Sequence, residues 1–231
     1  MDDALRLRHR MIPYLHTMNW RASRTGLPLV EPMYWGSPDI DAAYHVPNEY
    51  MFGTELLAAP ITEPMDKSSR RGKADVWLPQ GDWFDFFTGR RYSASSPNGR
   101  RMTVWRPLDG IPVFAKAGGI VPMQPLSEGD SINSVDNPQH LEIIVFPGAD
   151  GDFTLMEDSG HYSRQITPGD HRDHLSMAQG RRHIRTHGIA SPGRRSRSAG
   201  PENMGFPVPR HYRQRHIRTG RRRIRRFGSP V

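Results

Sequence analysis

Residues 47–61 read Pro-Asn-Glu-Tyr-Met-Phe-Gly-Thr-Glu-Leu-Leu-Ala-Ala-Pro-Ile, a compact apolar block between two prolines. Gly53, in the middle of the block, allows a sharp change of chain direction at low steric cost. The apolar run from Leu56 to Ala59 is too short and too continuous for a surface helix. It therefore predicts a strand buried on both faces, and the rest of the fold is interpreted around that strand.

Residues 3–25 carry the pattern of a helix. Apolar side chains recur at helical spacing, at Leu7, Met11, Tyr14 or Leu15, Met18 and Ala22. Asp2 or Asp3 can cap the N-terminus, and Gly26 stands where a C-terminal capping glycine is expected. Pro13 falls inside the pattern and predicts a kink or a local break.

Residues 27–126 contain short apolar segments separated by proline and glycine. Lys73 to Leu78 alternates in polarity, Pro79-Gln80-Gly81 is turn chemistry, and Trp83 to Thr88 is the expected return strand. Several short strands at this spacing predict an antiparallel β-sandwich.

A second group of strands is predicted over residues 127–160. Leu141 to Phe146 and Asp152 to Glu157 flank a turn at residues 147–151, which indicates a hairpin. Two strands alone are marginally stable, so more of a sheet is expected to follow, but the alternating pattern stops after Gly160.

The charge is divided unevenly along the chain. Residues 1–160 have 15 Lys and Arg against 21 Asp and Glu, whereas residues 161–231 have 17 Arg, no Lys and 3 acidic residues. The last 71 residues therefore carry a net charge of about +14 and few apolar side chains, which predicts a disordered basic tail. Arginine without lysine, among many Gly, Pro and Ser, is also what a GC-rich coding sequence read out of frame produces. A frameshift near residues 160 to 166 is therefore a hypothesis.

Cysteine is absent, so neither disulfides nor thiolate metal sites are expected. The acidic start lacks the pattern of a signal peptide, and no apolar run is long enough to span a membrane. These features predict a cytoplasmic chain without a membrane partner.

Two motifs together resemble a known family. Asn-Glu-Tyr-Met-Phe-Gly-x-Glu-Leu-Leu-x-Ala-Pro-Ile (48–61) is followed by Val-Trp-Leu-Pro-Gln-Gly-Asp-Trp-Phe-Asp-Phe-Phe-Thr-Gly (76–89). The pair resembles the region behind the catalytic barrel of glycoside hydrolase family 31, the α-glucosidase and α-xylosidase family. Leu-Arg-His-Arg-Met-Ile-Pro-Tyr-Leu-His-Thr-Met, within the first 18 residues, similarly resembles the last helix of the (β/α)₈ barrel.

The resemblance implies a mainly β fold in four parts. These are the last barrel helix (1–26), the proximal C-terminal β-sandwich (27–126), the start of a distal β-domain (127–160) and the disordered tail (161–231). It also implies a C-terminal fragment of an enzyme that hydrolyses α-linked oligosaccharides without a metal or cofactor. The missing catalytic barrel would then be the packing partner of the fragment.

No catalytic residue is predicted in this chain. Retaining hydrolysis of a glycosidic bond needs two carboxyl groups about 5–5.5 Å apart. The resemblance places both family aspartates upstream of the residues present, so the isolated chain is expected to be inactive, and its classification as an enzyme is left open. Asp85 is the tempting substitute, but a carboxylate on the outer face of a hairpin is the simpler interpretation. Glu157 and Asp158 are interpreted as the end of a strand and a turn.

Aromatic residues suggest an alternative function as a carbohydrate-binding module. Tyr34, Trp35, Trp77, Trp83, Phe84, Phe86 and Phe87 could form a sugar-stacking platform or the core of the sandwich. Strand alternation places Trp83, Asp85 and Phe87 on one face, with Phe84 and Phe86 on the other. The core interpretation is favoured.

Metal and nucleic-acid binding are the remaining alternatives. The body histidines, His9, His16, His45 and His140, lack metal-ligand spacing. The arginines of the tail could neutralise phosphates. The tail aromatics, Tyr162, Phe206, Tyr212 and Phe227, are however too scattered to stack on bases, so nucleic acid is not the expected partner.

Overall fold

The computed structural model describes residues 2–126, 137–138, 140–158, 171–177, 184–189, 216–219 and 222–226. The chain divides into two compact units, Arg21–Gly119 and the combination of Met1–Trp20 with Ile120–Val231. Strands predominate over helices, which confirms the predicted mainly β class. Over the described residues, none of the helices has the length and apolar character needed to cross a membrane.

The predicted N-terminal helix forms as two helices. The α-helices of the chain are α1 (Asp2–Arg10), α2 (Ile12–Thr25) and α3 (Met33–Gly36). Pro13 lies in the first turn of α2, where a missing N–H costs no hydrogen bond, and this explains the interruption at Met11. Gly26 has a φ of +76° and donates its N–H to the Ala22 carbonyl at 2.9 Å, as predicted for a capping glycine.

Arg21–Gly119, the sandwich unit, contains eight strands. They are β1 (Val30–Pro32), β2 (Tyr50–Phe52), β3 (Leu56–Ala58), β4 (Gly72–Leu78), β5 (Gly81–Asp85), β6 (Arg91–Ala94), β7 (Arg100–Arg106) and β8 (Val113–Lys116). Six form an antiparallel sheet in the order β1-β2-β3-β8-β5-β6, and β4 pairs with β7 as a separate two-stranded sheet. A short 3₁₀ helix, Asp41–Tyr44, precedes β2.

The central strand predicted from residues 47–61 is confirmed. All three residues of β3 are buried, and the strand lies inside the six-stranded sheet between β2 and β8. Gly53 makes the predicted turn with a φ of +68° and donates its N–H to the Leu29 carbonyl at 2.6 Å. The left-handed conformation at this position explains the preference for glycine.

Side chains from both sheets share one hydrophobic core. The contributing residues are Leu57, Trp83, Ala94 and Phe114 from the larger sheet, and Val76, Trp77, Leu78 and Val104 from the β4–β7 pair. Met33 of α3 and Ala43 of the 3₁₀ helix extend the same core, which anchors the loop region before β2. Two antiparallel sheets around a common core are the predicted sandwich.

Among its described residues, the second unit contains α1, most of α2 and seven strands. The strands are β9 (Ile120–Met123), β10 (Leu141–Val145), β11 (Gly151–Glu157), β12 (His171–Met177), β13 (Ile184–Ile189), β14 (His216–Thr219) and β15 (Arg222–Arg226). One sheet has the order β14-β15-β10-β9 and the other the order β11-β12-β13. Within this unit Tyr14 of α2 stacks on Phe153 of β11 with ring centroids 5.7 Å apart.

One expectation for this part of the chain is corrected. The predicted hairpin at residues 141–157 is wrong in its pairing, because β10 pairs with β9 and β15 whereas β11 pairs with β12. All five residues of β10 are buried, and such a strand is stable inside a sheet with a neighbour on each side. The compact units divide after Gly119, and β9 pairs with β10 of the second unit.

Strands of both sheets in the second unit lie beyond Gly160, which the sequence did not predict. β12 to β15 lie within residues 161–231, so the expected disordered tail does not hold for those four segments. Leu175 of β12 is fully buried opposite Phe153 of β11, and this pairing explains how a charged segment forms a strand. The remaining residues of the predicted tail lie outside the described residues.

Candidate functional site

Asp85, the carboxylate considered first from the sequence, is buried at the end of β5. One oxygen, Oδ1, accepts the backbone N–H groups of Phe87 at 3.0 Å and Thr88 at 2.9 Å. The other oxygen pairs with the Arg106 guanidinium at the end of β7. The expectation of a carboxylate on an outer face is therefore wrong. Asp85 instead closes the turn after β5 and ties it to β7.

Three further buried carboxyl groups have structural partners within their own units. Glu55 lies 3.5 Å from the Lys116 ammonium, and Glu142 pairs with Arg10. Glu49 Oε2 accepts the backbone N–H of Trp77 at 2.8 Å. Buried charges need such partners, which explains the Glu55 and Glu142 pairs, and the backbone N–H gives the buried Glu49 carboxyl a hydrogen bond.

Glu49 is the acidic residue whose environment is most unusual. Burial raises the pKa of Glu49 to about 8, although the hydrogen bond from Trp77 and the positive charge of Arg101 oppose the change. The second carboxyl oxygen, Oε1, is buried without a hydrogen-bond partner. In the sequence, Glu49 stands out only as an acidic residue directly before the apolar run Tyr50-Met51-Phe52. That position gives no information about its contact with Trp77.

Two of the histidines considered from the sequence, His16 and His45, contact other residues of the chain. His16 contacts the Met156 carbonyl through Nδ1 at 3.2 Å and Asp158 through Nε2 at 3.1 Å. His45 lies 3.3 Å from Asp41. Across the part of the chain that the structure describes, no three metal-ligating side chains come together.

The aromatic set predicted from the sequence separates into core and surface residues. Trp77, Trp83, Phe84 and Phe86 are buried, whereas Tyr34, Trp35 and Phe87 are exposed. The predicted alternation of faces along residues 83–87 fails, because β5 ends at Asp85 and all four residues from Trp83 to Phe86 are buried. The favoured core interpretation is correct for the four buried residues.

Tyr34 and Trp35 of α3 and Tyr44 of the 3₁₀ helix are exposed. The rings of Tyr34 and Tyr44 stack with centroids 5.0 Å apart and planes only 7° from parallel. The exposed fractions are 42% for Tyr34, 57% for Trp35 and 53% for Tyr44. Tyr44 was not in the predicted set, because ten residues separate it from Tyr34 and no periodicity connects them.

Comparisons with known proteins point to one family. The model of the glycosyl hydrolase family 31 C-terminal domain matches residues 26–121. An α-xylosidase of Saccharolobus solfataricus is 30% identical over 158 residues, which are 68% of this chain and 20% of that protein. The mouse neutral α-glucosidase C is 28% identical over 69% of this chain and 17% of its own length.

Solved structures agree with the sequence comparisons. A Flavobacterium johnsoniae family 31 dextranase in complex with isomaltotriose has a TM-score of 0.65 at 28% identity, over 78% of this chain and 21% of the dextranase. A Xanthomonas citri α-xylosidase shares the fold with a TM-score of 0.69 at 23% identity, over 98% of this chain and 21% of that one. The chain thus spans about a fifth of the length of the proteins it is similar to.

Proposed function

Residues 26–121 of this chain belong to glycosyl hydrolase family 31 as its C-terminal domain, and from this premise we propose that the chain serves an α-glycoside hydrolase as a non-catalytic C-terminal region. The main support for the proposal is that the matching family model describes the C-terminal domain of the family. The contacts of Asp85 support it, because a carboxylate held by two backbone N–H groups and a guanidinium is occupied in structural bonding. Retaining hydrolysis instead needs a pair of carboxyl groups available to the sugar.

The proposed partner is the catalytic barrel of such an enzyme, and the substrate of the complete enzyme is an α-linked oligosaccharide. Exposed apolar side chains support a protein partner. Leu108 is 90% exposed, and Trp105 and Ile111 of the same segment are also exposed. Leu5 and Ile12 are likewise exposed on α1 and α2. Contact with the barrel would remove the apolar surface of these side chains from water.

Hydrolysis assays test the proposal directly. Purified chain incubated with an aryl α-glucoside and an aryl α-xyloside is expected to release no more phenol than a buffer blank. The S. solfataricus α-xylosidase, named for that activity, provides a positive control for the assay. Release above the blank by the native chain would overturn the proposal.

A cytoplasmic location stays a prediction from the sequence, and nucleic-acid binding through the arginine-rich tail stays an alternative that the sequence does not favour. The net charge of about +14 on residues 161–231 favours salt-dependent retention on heparin. Retention that is insensitive to salt would exclude an electrostatic interaction of this kind.

A further inference from the structure

The turn that links the two sheets of the sandwich unit contains the only asparagine of the chain that a glycine follows, Asn98 before Gly99. Residues 95–99 connect β6 to β7, and Asn98 is exposed to water. An asparagine before glycine is chemically labile, because glycine has no side chain to hinder attack of its backbone nitrogen on the asparagine amide. This pair is therefore a candidate site of chemical modification.

The reaction at such a pair is deamidation through a cyclic imide. The Gly99 nitrogen forms a bond to the side-chain carbonyl carbon of Asn98, the bond from that carbon to the side-chain nitrogen breaks, and ammonia leaves with the hydrogen of the Gly99 nitrogen. Water then opens the ring at one of its two carbonyl carbons. The product is either aspartate or isoaspartate, and in isoaspartate the main chain runs through the former side chain and is one carbon longer.

The folded turn keeps the Gly99 nitrogen from taking this step. The Gly99 N–H donates to the Ser96 carbonyl at 2.9 Å, which closes the turn. Ring closure replaces the hydrogen on that nitrogen with a carbon atom, so the hydrogen bond must break first. The Asn98 N–H donates to the Ser96 hydroxyl at 3.2 Å, and this second bond holds the turn in the same closed form.

Trp77 restrains the same peptide group from the core side. The Trp77 indole N–H donates to the Asn98 carbonyl at 2.8 Å, and Trp77 is buried. A Cβ built on Gly99 would lie 2.4 Å from the Trp77 Nε1 atom and 2.5 Å from the Leu78 carbonyl oxygen. The Asn98–Gly99 backbone is therefore packed too closely to rotate into the imide geometry, or to take in the extra carbon of isoaspartate, while it stays in contact with Trp77.

We propose that Asn98–Gly99 is a conformation-dependent deamidation site. The pair is protected while the turn is bonded to Ser96 and Trp77, and it reacts when local opening releases the turn. The rate in the native chain then equals the rate in the open chain multiplied by the fraction of time that the turn is open. The opened and modified turn does not close again, because an isoaspartate at position 98 cannot restore the contact with Trp77.

Peptide mapping of the full chain by mass spectrometry tests the proposal. Samples are incubated at mildly alkaline pH with and without denaturing urea, and the mass gain of the peptide that contains Asn98 is followed over time. A synthetic peptide of residues 94–101 in both media corrects for any effect of urea on the chemical step. We expect deamidation to be slower by about tenfold or more in the folded chain, whose fold is verified by circular dichroism.

Two serine variants separate the turn from its surroundings. Ser96→Ala removes the acceptor of the Asn98 N–H and should speed deamidation of the folded chain about fivefold, which corresponds to the loss of one ordinary hydrogen bond. Ser95→Ala, at the neighbouring exposed serine, is the matched control and should leave the rate unchanged. Equal rates in the folded and unfolded chains would overturn the proposal, and so would equal rates in the two variants.

Urea unfolding of the modified chain tests whether the turn can close again. Chains with isoaspartate at position 98, recognised by enzymatic methyl transfer to its α-carboxyl group, should unfold at a lower urea concentration than native chains. Asn98→Asp introduces the same charge but keeps the native main chain, so it should unfold close to the native concentration. An isoaspartate chain as stable as Asn98→Asp would contradict the proposal, because the contact with Trp77 would then accommodate the longer main chain.

Discussion

The carboxyl group of Glu49 lies against the backbone of Trp77, 28 residues further along the chain, and accepts its N–H at 2.8 Å. The Glu49 side chain thereby accepts a backbone donor of β4, the strand that pairs with β7. The other oxygen of this buried carboxyl has no hydrogen-bond partner. The protonation state of Glu49 should therefore affect the stability of the segment before β2.

Stability is expected to depend on pH through Glu49. The pKa is about 8 in the folded chain against an ordinary value of 4.5, so the folded state holds the proton more tightly. The contribution to the free energy of unfolding is therefore fully present below about pH 4.5 and is lost as the pH rises through about 8. The loss should not exceed about 5 kcal/mol, since one pKa unit corresponds to about 1.4 kcal/mol.

Glu49→Gln is the matched variant for this pH dependence. Glutamine keeps the acceptor for the Trp77 N–H and cannot ionise, so urea unfolding between pH 5 and pH 9 should show a flatter profile than the native chain. The variant should be the more stable protein at pH 9. Parallel pH profiles for the two proteins would contradict the assignment to Glu49.

Gly99→Ala should destabilise the sandwich unit far more than Gly26→Ala. The two glycines have nearly the same positive φ, +75° and +76°, so the backbone cost is similar. A Cβ at Gly99 would lie 2.4 Å from Trp77 Nε1 and 2.5 Å from the Leu78 carbonyl, whereas a Cβ at Gly26 meets nothing within 4 Å. We expect an additional cost of about 2 kcal/mol in urea unfolding. Equal costs would exclude the clash.

The attraction between the buried side chains of Asp85 and Arg106 should stabilise the folded state. Arg106→Met leaves a buried carboxylate without its cation, at an expected cost of about 3–5 kcal/mol. The double variant Asp85→Asn/Arg106→Met should recover part of that loss. A double-mutant cycle by chemical unfolding measures the coupling energy.

Asp82 and Arg91 are the control for that cycle. The distance between their charged atoms is 2.7 Å, but the pair is exposed, and the Arg91 hydrogen bond lowers the pKa of Asp82. Its coupling is expected at about 1 kcal/mol or less. A coupling as small for Asp85 and Arg106 would show that burial does not strengthen their interaction.

Thr17→Val should cost more stability than Thr25→Val. Both hydroxyls donate to a carbonyl four residues earlier in α2, each at 2.9 Å. The Thr17 hydroxyl is buried and also accepts the Met156 N–H of β11 at 3.1 Å. Valine leaves that buried N–H without an acceptor, at about 1–3 kcal/mol, while the exposed Thr25 site is expected to change little. Thermal unfolding compares the two variants, and equal shifts would contradict this role of Thr17.

Leu108→Glu should reduce self-association of the isolated chain. The native residue is 90% exposed, so a charge there removes apolar surface on which a second chain could pack. Light scattering over a concentration series measures the effect. Asp109→Asn, the neighbouring polar change, serves as the control and should leave association unchanged. If Leu108→Glu leaves the association constant unchanged, the chains associate through a different surface.

Local patterns predicted the elements whose environment is encoded nearby in the chain. The apolar run at Leu56–Ala58 required burial on both faces wherever it was placed, and Pro13 interrupted the helix for steric reasons that hold in any fold. The predicted β10–β11 hairpin failed because strand pairing depends on competing neighbours. A short turn permits pairing, but the two hydrogen-bonding edges of β10 are occupied by β9 and β15 instead.

The amino-acid sequence by itself determined the mainly β class, the sandwich, the C-terminal character of the family match and the concentration of arginine near the C-terminus. Periodicity, turn chemistry and charge are properties of neighbouring residues, so they can be recognised before folding. Only the tertiary structure decided that Asp85 is buried against Arg106, that Glu49 bonds to Trp77, and that Tyr34 stacks on Tyr44 at the surface. Each of these depends on solvent exposure and on a partner distant in the chain, and both exist only once the strands have packed.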